Sequence, residues 1–247
     1  MNHLVGLDEA GRGPVLGPLV FGVCSVPATD VHLLAEQGVR DSKDLSPKKR
    51  KALEDWFTEQ QQSRGWFGCT VTYHAERIDI ALQNEGLNML EVLGFREALE
   101  ALPTHQQVDI VADACDVNAE RFTRRITEGL VGWPWPSSTM VSEHKADQNH
   151  PVVAMASILA KEQREREMGA IQQRYRVPLG SGYPSDPATQ QALNTLCPQE
   201  GIDPDVRWGW ATVQRFWSEH REGDVPVRGQ QRTVQQTLFR EEGPRIS

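Results

Sequence analysis

A short apolar segment near the start of the chain ends abruptly in two acids, and this constrains the fold more than any other feature. In the sequence GLDEAGRGP, residues 6–14, the apolar run stops at Asp8 and Glu9. A buried strand would continue with apolar residues, so the two acids must face a cleft, a cation or solvent. Gly11 and Gly13 then allow the main chain to approach a ligand closely. An acidic turn that ends in glycine would have the same sequence, so this motif alone leaves both interpretations open.

Two later apolar segments also carry acids at their ends. VDIVAD is a short predicted strand that ends in Asp113, and EHKAD follows another predicted strand and contains Asp147. Ligands of α/β sheets gather at the carboxyl ends of strands, so neighbouring strands would bring these two acids to Asp8 and Glu9. A helix cap and a solvated loop acid are the alternatives for Asp113 and Asp147. For Asp116, capping of the next helix is the preferred interpretation.

Carboxylates that converge repel one another, and bound cations relieve that repulsion. The chain has four cysteines, without a Cys-x-x-Cys pair and without a histidine at zinc-like spacing from any of them. An oxygen-only ligand set favours Mg²⁺ or Mn²⁺ over zinc. Carboxylates that bridge two such ions are the usual apparatus for displacement at a phosphodiester. The acids therefore predict a site for two divalent ions and a phosphodiester substrate.

The order of the predicted elements indicates an α/β fold. Predicted strands over residues 4–7, 18–26 and 66–73 come first, and helices then alternate with shorter strands. This order favours a mixed sheet with an antiparallel beginning and a parallel end.

Helix starts are predicted at Ser46 and Asp186, since each is followed by a proline that suits the first helical position. A further helix is predicted to begin at Pro151. The pattern over residues 75–102 predicts one long helix, although the glycine at position 86 weakens it.

Composition limits the partners of the chain. The 247 residues include 26 basic and 34 acidic side chains, and the net charge of −8 argues against indiscriminate binding of nucleic acid. A nucleic-acid partner would need local basic patches, and the run from Lys48 to Lys51 opposes the dipole of its helix. This run predicts a phosphate-binding surface or, alternatively, a solvated charged face. Without a membrane-length apolar run or a secretory signal, the chain is expected to be cytoplasmic, with no membrane partner.

Five sequence blocks, in order, resemble ribonuclease HII, especially its archaeal-type members. They are GLDEAGRGPVLGPLV, DSKDLS, VADACDVNAERF, EHKADQNHPVVAMASILAK and GSGYPSDPAT. The resemblance implies a ribonuclease H-like fold, with a mixed five-stranded sheet flanked by helices and a C-terminal helical extension. It also implies endonucleolytic cleavage of RNA in RNA–DNA hybrids and of single ribonucleotides in duplex DNA, leaving a 3′-hydroxyl and a 5′-phosphate. We expect a catalytic core over residues 1–176, the extension over 177–220 and a flexible tail over 221–247.

The resemblance assigns roles to individual residues. The catalytic carboxylates, which would also hold the two Mg²⁺ or Mn²⁺ ions, fall on Asp8, Glu9, Asp113 and Asp147. The residues expected to read the 2′-hydroxyl, largely through main-chain atoms, are Gly11, Arg12 and Gly13. The remaining expected substrate contacts are Ser42 and Lys43 to phosphate, Tyr183 to the sugar, and Asn88, Lys145, Lys161 and Arg207.

One block departs from the family pattern. The family often shows Arg-x-Ser-Trp-x-Thr near the end of its core, whereas this chain reads Arg-Trp-Gly-Trp-Ala-Thr from Arg207. The glycine at position 209 removes a hydroxyl, which puts that contact in doubt.

Two other functions fit parts of the sequence. A metal-dependent exonuclease of the DEDD kind also uses four acids, but its first two are separated by one residue, whereas Asp8 and Glu9 are adjacent. A non-enzymatic replication accessory could use the glycine loop as an anion cradle. The segment QQTLF, from Gln235 to Phe239, resembles the front half of a sliding-clamp docking peptide, with acids where paired aromatics usually follow. We expect a monomer.

Overall fold

The computed structural model describes residues 2–103, 105 and 107–229 and contains a five-stranded sheet with the strand order β3-β2-β1-β4-β5. The strands are β1 (His3–Ala10), β2 (Leu19–Pro27), β3 (Phe67–Tyr73), β4 (Val108–Asp113) and β5 (Thr139–Glu143). The first three strands pair antiparallel, and β4 and β5 add parallel to β1. The predicted mixed sheet, with its antiparallel beginning and parallel end, is confirmed.

The register places the acids at one edge of the sheet. Leu7 lies opposite Ala112 in the parallel pair of β1 and β4, so Asp8, near the end of β1, lies beside Asp113, the last residue of β4. Asp113 in turn lies opposite Glu143, the last residue of β5. The convergence expected for the ends of parallel strands therefore follows from the hydrogen-bond ladder itself.

The described part of the chain contains nine α-helices. They are α1 (Val31–Gln37), α2 (Pro47–Arg64), α3 (Ala75–Asn84), α4 (Leu87–Glu100), α5 (Ala119–Glu128), α6 (Ala146–Asn149), α7 (Pro151–Gln173), α8 (Pro187–Leu196) and α9 (Ala211–His220). The predicted caps are present, since Ser46 accepts from the Lys49 amide at 3.3 Å and Asp186 from the Ala188 amide at 2.9 Å. The single helix predicted over residues 75–102 is wrong. Gly86, with φ 81°, divides it into α3 and α4, because glycine tolerates this positive φ and a helix cannot continue through it.

Helix α7 packs directly on the centre of the sheet. A Cβ atom at Gly6 would lie 2.2 Å from the carbonyl carbon of Val152, and one at Gly22 would lie 2.2 Å from the carbonyl oxygen of Ala156. Only glycine permits this approach of strand and helix backbones. The fit brings the middle of α7 to the edge of the sheet where the acids end β1 and β4.

The C-terminal helices share a core with residues from the first part of the chain. Val15 and Leu16 pack with α8, α9 and the end of α7. Residues 221–229, which we expected to begin a flexible tail, contact the fold. Arg228 donates from Nε to Asp79 at 2.6 Å. The division into core, extension and tail stays a prediction, and none of the described helices is long and apolar enough to cross a membrane.

Candidate active site

The four predicted carboxylates line one cleft at the edge of the sheet. Asp8 and Glu9 come from the end of β1, Asp113 from the end of β4, and Asp147 from the first turn of α6. Asp8 and Asp147 are each only 4% exposed. The structure thus brings together side chains that are more than 130 residues apart in the sequence.

A sharp turn before α6 places Asp147 in the cleft. Lys145 adopts the left-handed conformation with φ 59°, and the chain turns there from β5 into α6. The next amide, that of Ala146, donates to Asp113 Oδ1 at 2.8 Å. The turn is therefore anchored to one acid while it presents the next. Lys145 itself is exposed and is absent from the described residues that line the cleft, and its substrate contact stays a prediction.

Burial and mutual repulsion shape the charge of the cleft. Burial and then the charge of Glu9 hold the pKa of Asp8 well above its usual range. Burial also raises the pKa of Glu9 and that of Asp113. Among the described residues, these acids make one ion pair, in which Lys43 Nζ lies 3.7 Å from Asp147 Oδ2. An oxygen-only set with this excess of negative charge fits divalent cations such as Mg²⁺ or Mn²⁺.

The glycine loop beside the acids is held from behind by Arg207. Its guanidinium donates from Nη2 to the carbonyl of Gly11 at 2.6 Å, from Nη1 to that of Arg12 at 3.0 Å, and from Nε to that of Gly17 at 3.0 Å. Arg207 is fully buried, so the predicted direct contact with substrate is not supported. The structure shows instead that this residue of the C-terminal part fixes the shape of the loop.

The loop leaves no room for a side chain at its first glycine. Gly11 has φ 90°, and a Cβ atom there would lie 2.5 Å from the Pro18 carbonyl oxygen and 2.6 Å from Arg164 Nε. Both the conformation and the contacts require glycine. A Cβ at Gly13 would instead lie 3.6 Å from the ring of Tyr183, an ordinary contact distance, so this second glycine borders the ring.

The side chain of Arg12 points to helix α4. Its Nε donates to Glu91 Oε1 at 2.5 Å, and its Nη2 donates to Asn88 Oδ1 at 3.0 Å. The predicted substrate residues Arg12 and Asn88 are therefore bonded to each other. Glu91 is fully buried, and burial and the charge of Glu9 raise its pKa to about 8.

A second group of predicted residues lines the same cleft. Lys43 and Lys161 line it, and Lys161 Nζ donates to Ser42 Oγ at 3.0 Å. Ser42 Oγ also lies 2.9 Å from Ser157 Oγ of α7. Ser42 is only 1% exposed, which makes it a support for the wall more than an open contact.

Tyr183 projects from the loop before α8 and is 42% exposed. The loop is fixed by a hydrogen bond from the Gly182 amide to Thr189 Oγ1 at 2.9 Å. Beneath the ring lies Arg164, its guanidinium carbon 5.6 Å from the ring centroid. The aromatic face is therefore held in place and open to a sugar or base.

Sequence reasoning missed three residues that line the cleft from α7: Ser157, Arg164 and Glu165. They stand with Lys161 at spacings of three or four residues, which places all four on one face of the helix. That spacing is visible in the sequence and was a usable signal. Arg164 is 6% exposed, donates from Nη2 to the Ser181 carbonyl at 3.1 Å, and links the tyrosine loop to α7.

The basic run at the start of α2 is used largely within the fold. Arg50 is buried and donates from Nε to Glu162 Oε1 at 2.8 Å. Lys51 contacts Asp55 at 2.7 Å. Two of the four basic side chains in this run therefore have acidic partners within the fold. Lys48 and Lys49 remain the candidates for the predicted phosphate-binding surface.

Comparison with known proteins places the chain in a family. The ribonuclease HII family model matches residues 5–213. The chain belongs to the ribonuclease HII family. It is 39% identical to ribonuclease HII of Thermococcus kodakarensis over 235 residues, covering 94% of this chain and 96% of that protein. It is 38% identical to ribonuclease HII of Methanococcoides burtonii over 216 residues, covering 86% and 98%.

Solved structures agree with the family assignment. The crystal structure of the ribonuclease H2 from Pyrococcus horikoshii is 34% identical, with a TM-score of 0.76 and coverage of 88% of this chain and 98% of that one. The RNase HII in the PCNA:RNase HII complex from Archaeoglobus fulgidus is 32% identical, with a TM-score of 0.71 and coverage of 84% and 94%. The predicted fold, the family and the ribonuclease H class of activity are confirmed. Dependence on a metal ion is shown with them, whereas the identity of the metal stays a proposal.

Proposed function

We propose that this chain cuts the RNA strand of RNA–DNA hybrids and nicks duplex DNA on the 5′ side of a single embedded ribonucleotide. The observation that carries the proposal is the convergence of four carboxylates beside a glycine loop with Tyr183 at its rim. Neither feature alone would favour this substrate. Together they place a hydrolytic centre next to a group of main-chain atoms suited to a ribose hydroxyl.

Asp8, Glu9, Asp113 and Asp147 are the residues that would hold two divalent ions. When bound, such ions supply Lewis-acid activation of the attacking water and stabilise the charge on the leaving oxygen. Burial raises the pKa of Asp8, Glu9 and Asp113, and this supports a site in which cations would compensate their charge. Mg²⁺ and Mn²⁺ both suit this oxygen-only set.

The glycine loop would recognise the ribose through its backbone. Arg207 already occupies the carbonyl oxygens of Gly11 and Arg12, so these acceptors point away from the substrate. The amides of the same loop are donors and suit the 2′ oxygen of a ribonucleotide. Tyr183, supported by Arg164, would stack against the sugar that follows.

The lysine wall would hold the phosphate next to the reacting one. Lys43 and Lys161 line the cleft, and the negative charge of the whole chain makes such local cations necessary. Exposed Lys43 also contacts Asp147, which gives this lysine two partners, one acid and one phosphate.

Three duplexes incubated with Mg²⁺ test the proposal: one of all DNA, one with a single ribonucleotide, and one RNA–DNA hybrid. We expect a single internal nick 5′ to the ribonucleotide, several cuts in the hybrid, and no cut in all-DNA. Stepwise shortening from an end would indicate the exonuclease, and absence of cutting would indicate a binding protein. Repetition with Mn²⁺ gives the metal preference.

The same substitution, aspartate to asparagine, made inside and outside the cleft makes the test specific to the cleft. Asp8→Asn should lose cleavage by orders of magnitude. Asp109→Asn is the matched control, because Asp109 lies on β4 but pairs outside the cleft with Asn2 at 2.7 Å and Thr139 at 2.6 Å. Near-normal cleavage by the Asp8 variant would refute the assignment.

We also propose that the chain docks on a sliding clamp through Gln235 to Phe239. This segment lies outside the described residues. The proposal is supported by its sequence and by the solved structure named as a PCNA:RNase HII complex. A pull-down with purified clamp should retain the full chain and lose a variant that ends at residue 229. Equal retention of both would end this proposal, and sedimentation of the free chain would test the expected monomer.

A further inference from the structure

We propose that Glu9, Glu91 and Cys115 form a second metal site, which takes a thiophilic divalent cation such as Zn²⁺ and inhibits the nuclease by occupying Glu9. The inhibitory half of this inference rests on the proposed function, whereas the binding half does not. The site lies behind the cleft, since neither Glu91 nor Cys115 is among the described residues that line it.

The three side chains already have the spacing of a metal site. One carboxylate oxygen from each glutamate and the sulfur of Cys115 all lie within 4.8 Å of one another. The thiol donates from Sγ to Glu9 Oε2 at 3.0 Å. Ligand atoms around a tetrahedral Zn²⁺ stand about 3.5 Å apart, so small side-chain shifts suffice to enclose the ion.

Glu91 gives an independent indication of a missing ligand. It is fully buried, and its Oε2 has no hydrogen-bond partner among the described residues. Its other oxygen, Oε1, is taken by Arg12. An unpartnered carboxylate oxygen in the interior is costly, and a cation at this position would satisfy it.

The donor set selects the class of metal. A thiolate with two carboxylates favours Zn²⁺ or Cd²⁺, whereas Mg²⁺ avoids sulfur. The charges also match, because two carboxylates and a thiolate beside Arg12 carry a net charge of two negative units. On binding, the sulfur exchanges its proton for the metal. Glu91, whose pKa is raised by burial to about 8, gives up the proton that it holds at neutral pH, and both protons leave to solvent.

Glu9 connects this site to the cleft. The same side chain ends β1 as part of the four-carboxylate set and lies against Cys115. A Zn²⁺ ion between Cys115 and Glu9 would draw one carboxylate oxygen away from the ions that support cleavage. Zinc would therefore inhibit cleavage through Cys115, and the other three cysteines would not contribute to this inhibition.

Cd²⁺ titrated into the metal-free full-length chain tests binding without reference to activity. We expect a sulfur-to-cadmium absorption band that saturates at one equivalent and is displaced by Zn²⁺. Cys115→Ser should lose the band. Cys69→Ser is the matched control, because it removes another partly buried thiol and should keep the band. Loss of the band in both variants, its survival in Cys115→Ser, or its absence from the native chain would overturn the site.

A second variant guards against a folding defect. Glu91→Gln keeps an oxygen that can accept from Arg12 but removes the charge, and it should weaken Zn²⁺ binding at least about tenfold. Unchanged affinity in this variant, with a normal thermal transition, would exclude Glu91 from the site.

Inhibition is measured on the single-ribonucleotide duplex with Mg²⁺ in excess. Each chain is compared with its own rate in the absence of zinc, and Cys115→Ser should need at least about tenfold more Zn²⁺ than the native chain for half inhibition. Equal sensitivity of native and variant chains would place the inhibitory zinc elsewhere. A native chain that binds Cd²⁺ through Cys115 but cleaves nothing would refute the proposed function and leave the metal site standing.

Discussion

Two regions of the molecule bury acids to a similar extent but differ in how well the neighbouring groups compensate the negative charge. In the cleft, Asp8 is 4% exposed, and burial and a neighbouring carboxylate raise its pKa well above the usual range. In α3, Asp79 is 2% exposed but accepts from the amides of Trp208 and Gly209, each at 3.0 Å, and from Arg228 at 2.6 Å. Burial alone therefore does not mark a functional acid. The partners that surround the carboxylate do.

Asp116 belongs with the compensated acids, although it stands only three residues from Asp113. It accepts from the Asn118 amide at 3.1 Å and from the guanidinium of Arg121. The hydrogen bond from Arg121 contributes most to lowering the pKa of Asp116. The predicted capping of the next helix by Asp116 is wrong, because Asn118 is the cap of α5 and accepts from the Arg121 amide at 2.7 Å.

The largest expected effect is on an uncompensated acid. Asp147→Asn should lower turnover at least about 10³-fold, which is about 4 kcal/mol of transition-state stabilisation. The physical reason is the loss of one charged oxygen ligand from the cleft, while the side-chain shape is kept. Single-turnover cleavage of the ribonucleotide duplex, with the melting temperature as control, measures it. A variant that cleaves at a tenth of the native rate or faster would place Asp147 outside the metal-binding set.

The next effect is on the compensated acid. Asp79→Asn should destabilise the fold by about 3 kcal/mol, because the buried Arg228 loses its charged partner. Chemical denaturation measures the loss. At a temperature where the variant is folded, its turnover should stay within a few-fold of native. Loss of turnover in a fully folded Asp79 variant would break the distinction between the two regions.

The difference between the regions also explains what the sequence could reveal. Asp8 and Glu9 end an apolar run, and this is a local signal that needs no partner. Asp79 stands in an ordinary helical pattern, and its partners come 129 to 149 residues later. Such contacts exist only after the chain has folded, so the structural role of Asp79 could not be predicted.

Arg207 shows the same limit within the site. Its block in the family pattern suggested a substrate contact, and the structure shows a buried side chain that holds carbonyls 190 to 196 residues away. Sequence similarity identified the residue as important but could not distinguish contact from support. In α7, by contrast, the spacing of Ser157, Lys161 and Arg164 was a local signal that could have been used.

The third expected effect is a gain in stability. In the presence of a chelator at neutral pH, Asp8→Asn should stabilise the fold by about 1 kcal/mol, since it removes a poorly compensated charge. The raised pKa means that the folded chain binds a proton that the unfolded chain has released. The native protein therefore loses stability as pH rises above the ordinary carboxyl range, and the variant loses less.

Below that range both states are protonated, and the two curves should meet. Thermal melts from pH 3 to pH 8 measure the difference, and excess Mg²⁺ should reverse its sign because the native cleft binds the ion more tightly. A variant that is less stable than native with chelator at neutral pH would show that Asp8 is compensated after all.

The smallest expected effect is on a pair that is not buried. Lys51 contacts Asp55 at 2.7 Å, with side chains 56% and 61% exposed. Lys51→Ala should cost less than about 0.5 kcal/mol, and 1 M salt should remove most of that, since water already compensates both charges. Chemical denaturation at two salt concentrations measures it. A cost close to that of Asp79→Asn would mean that an exposed ion pair stabilises the fold as much as a buried one. Burial would then add nothing to the energetic difference between the cleft and the Asp79 region.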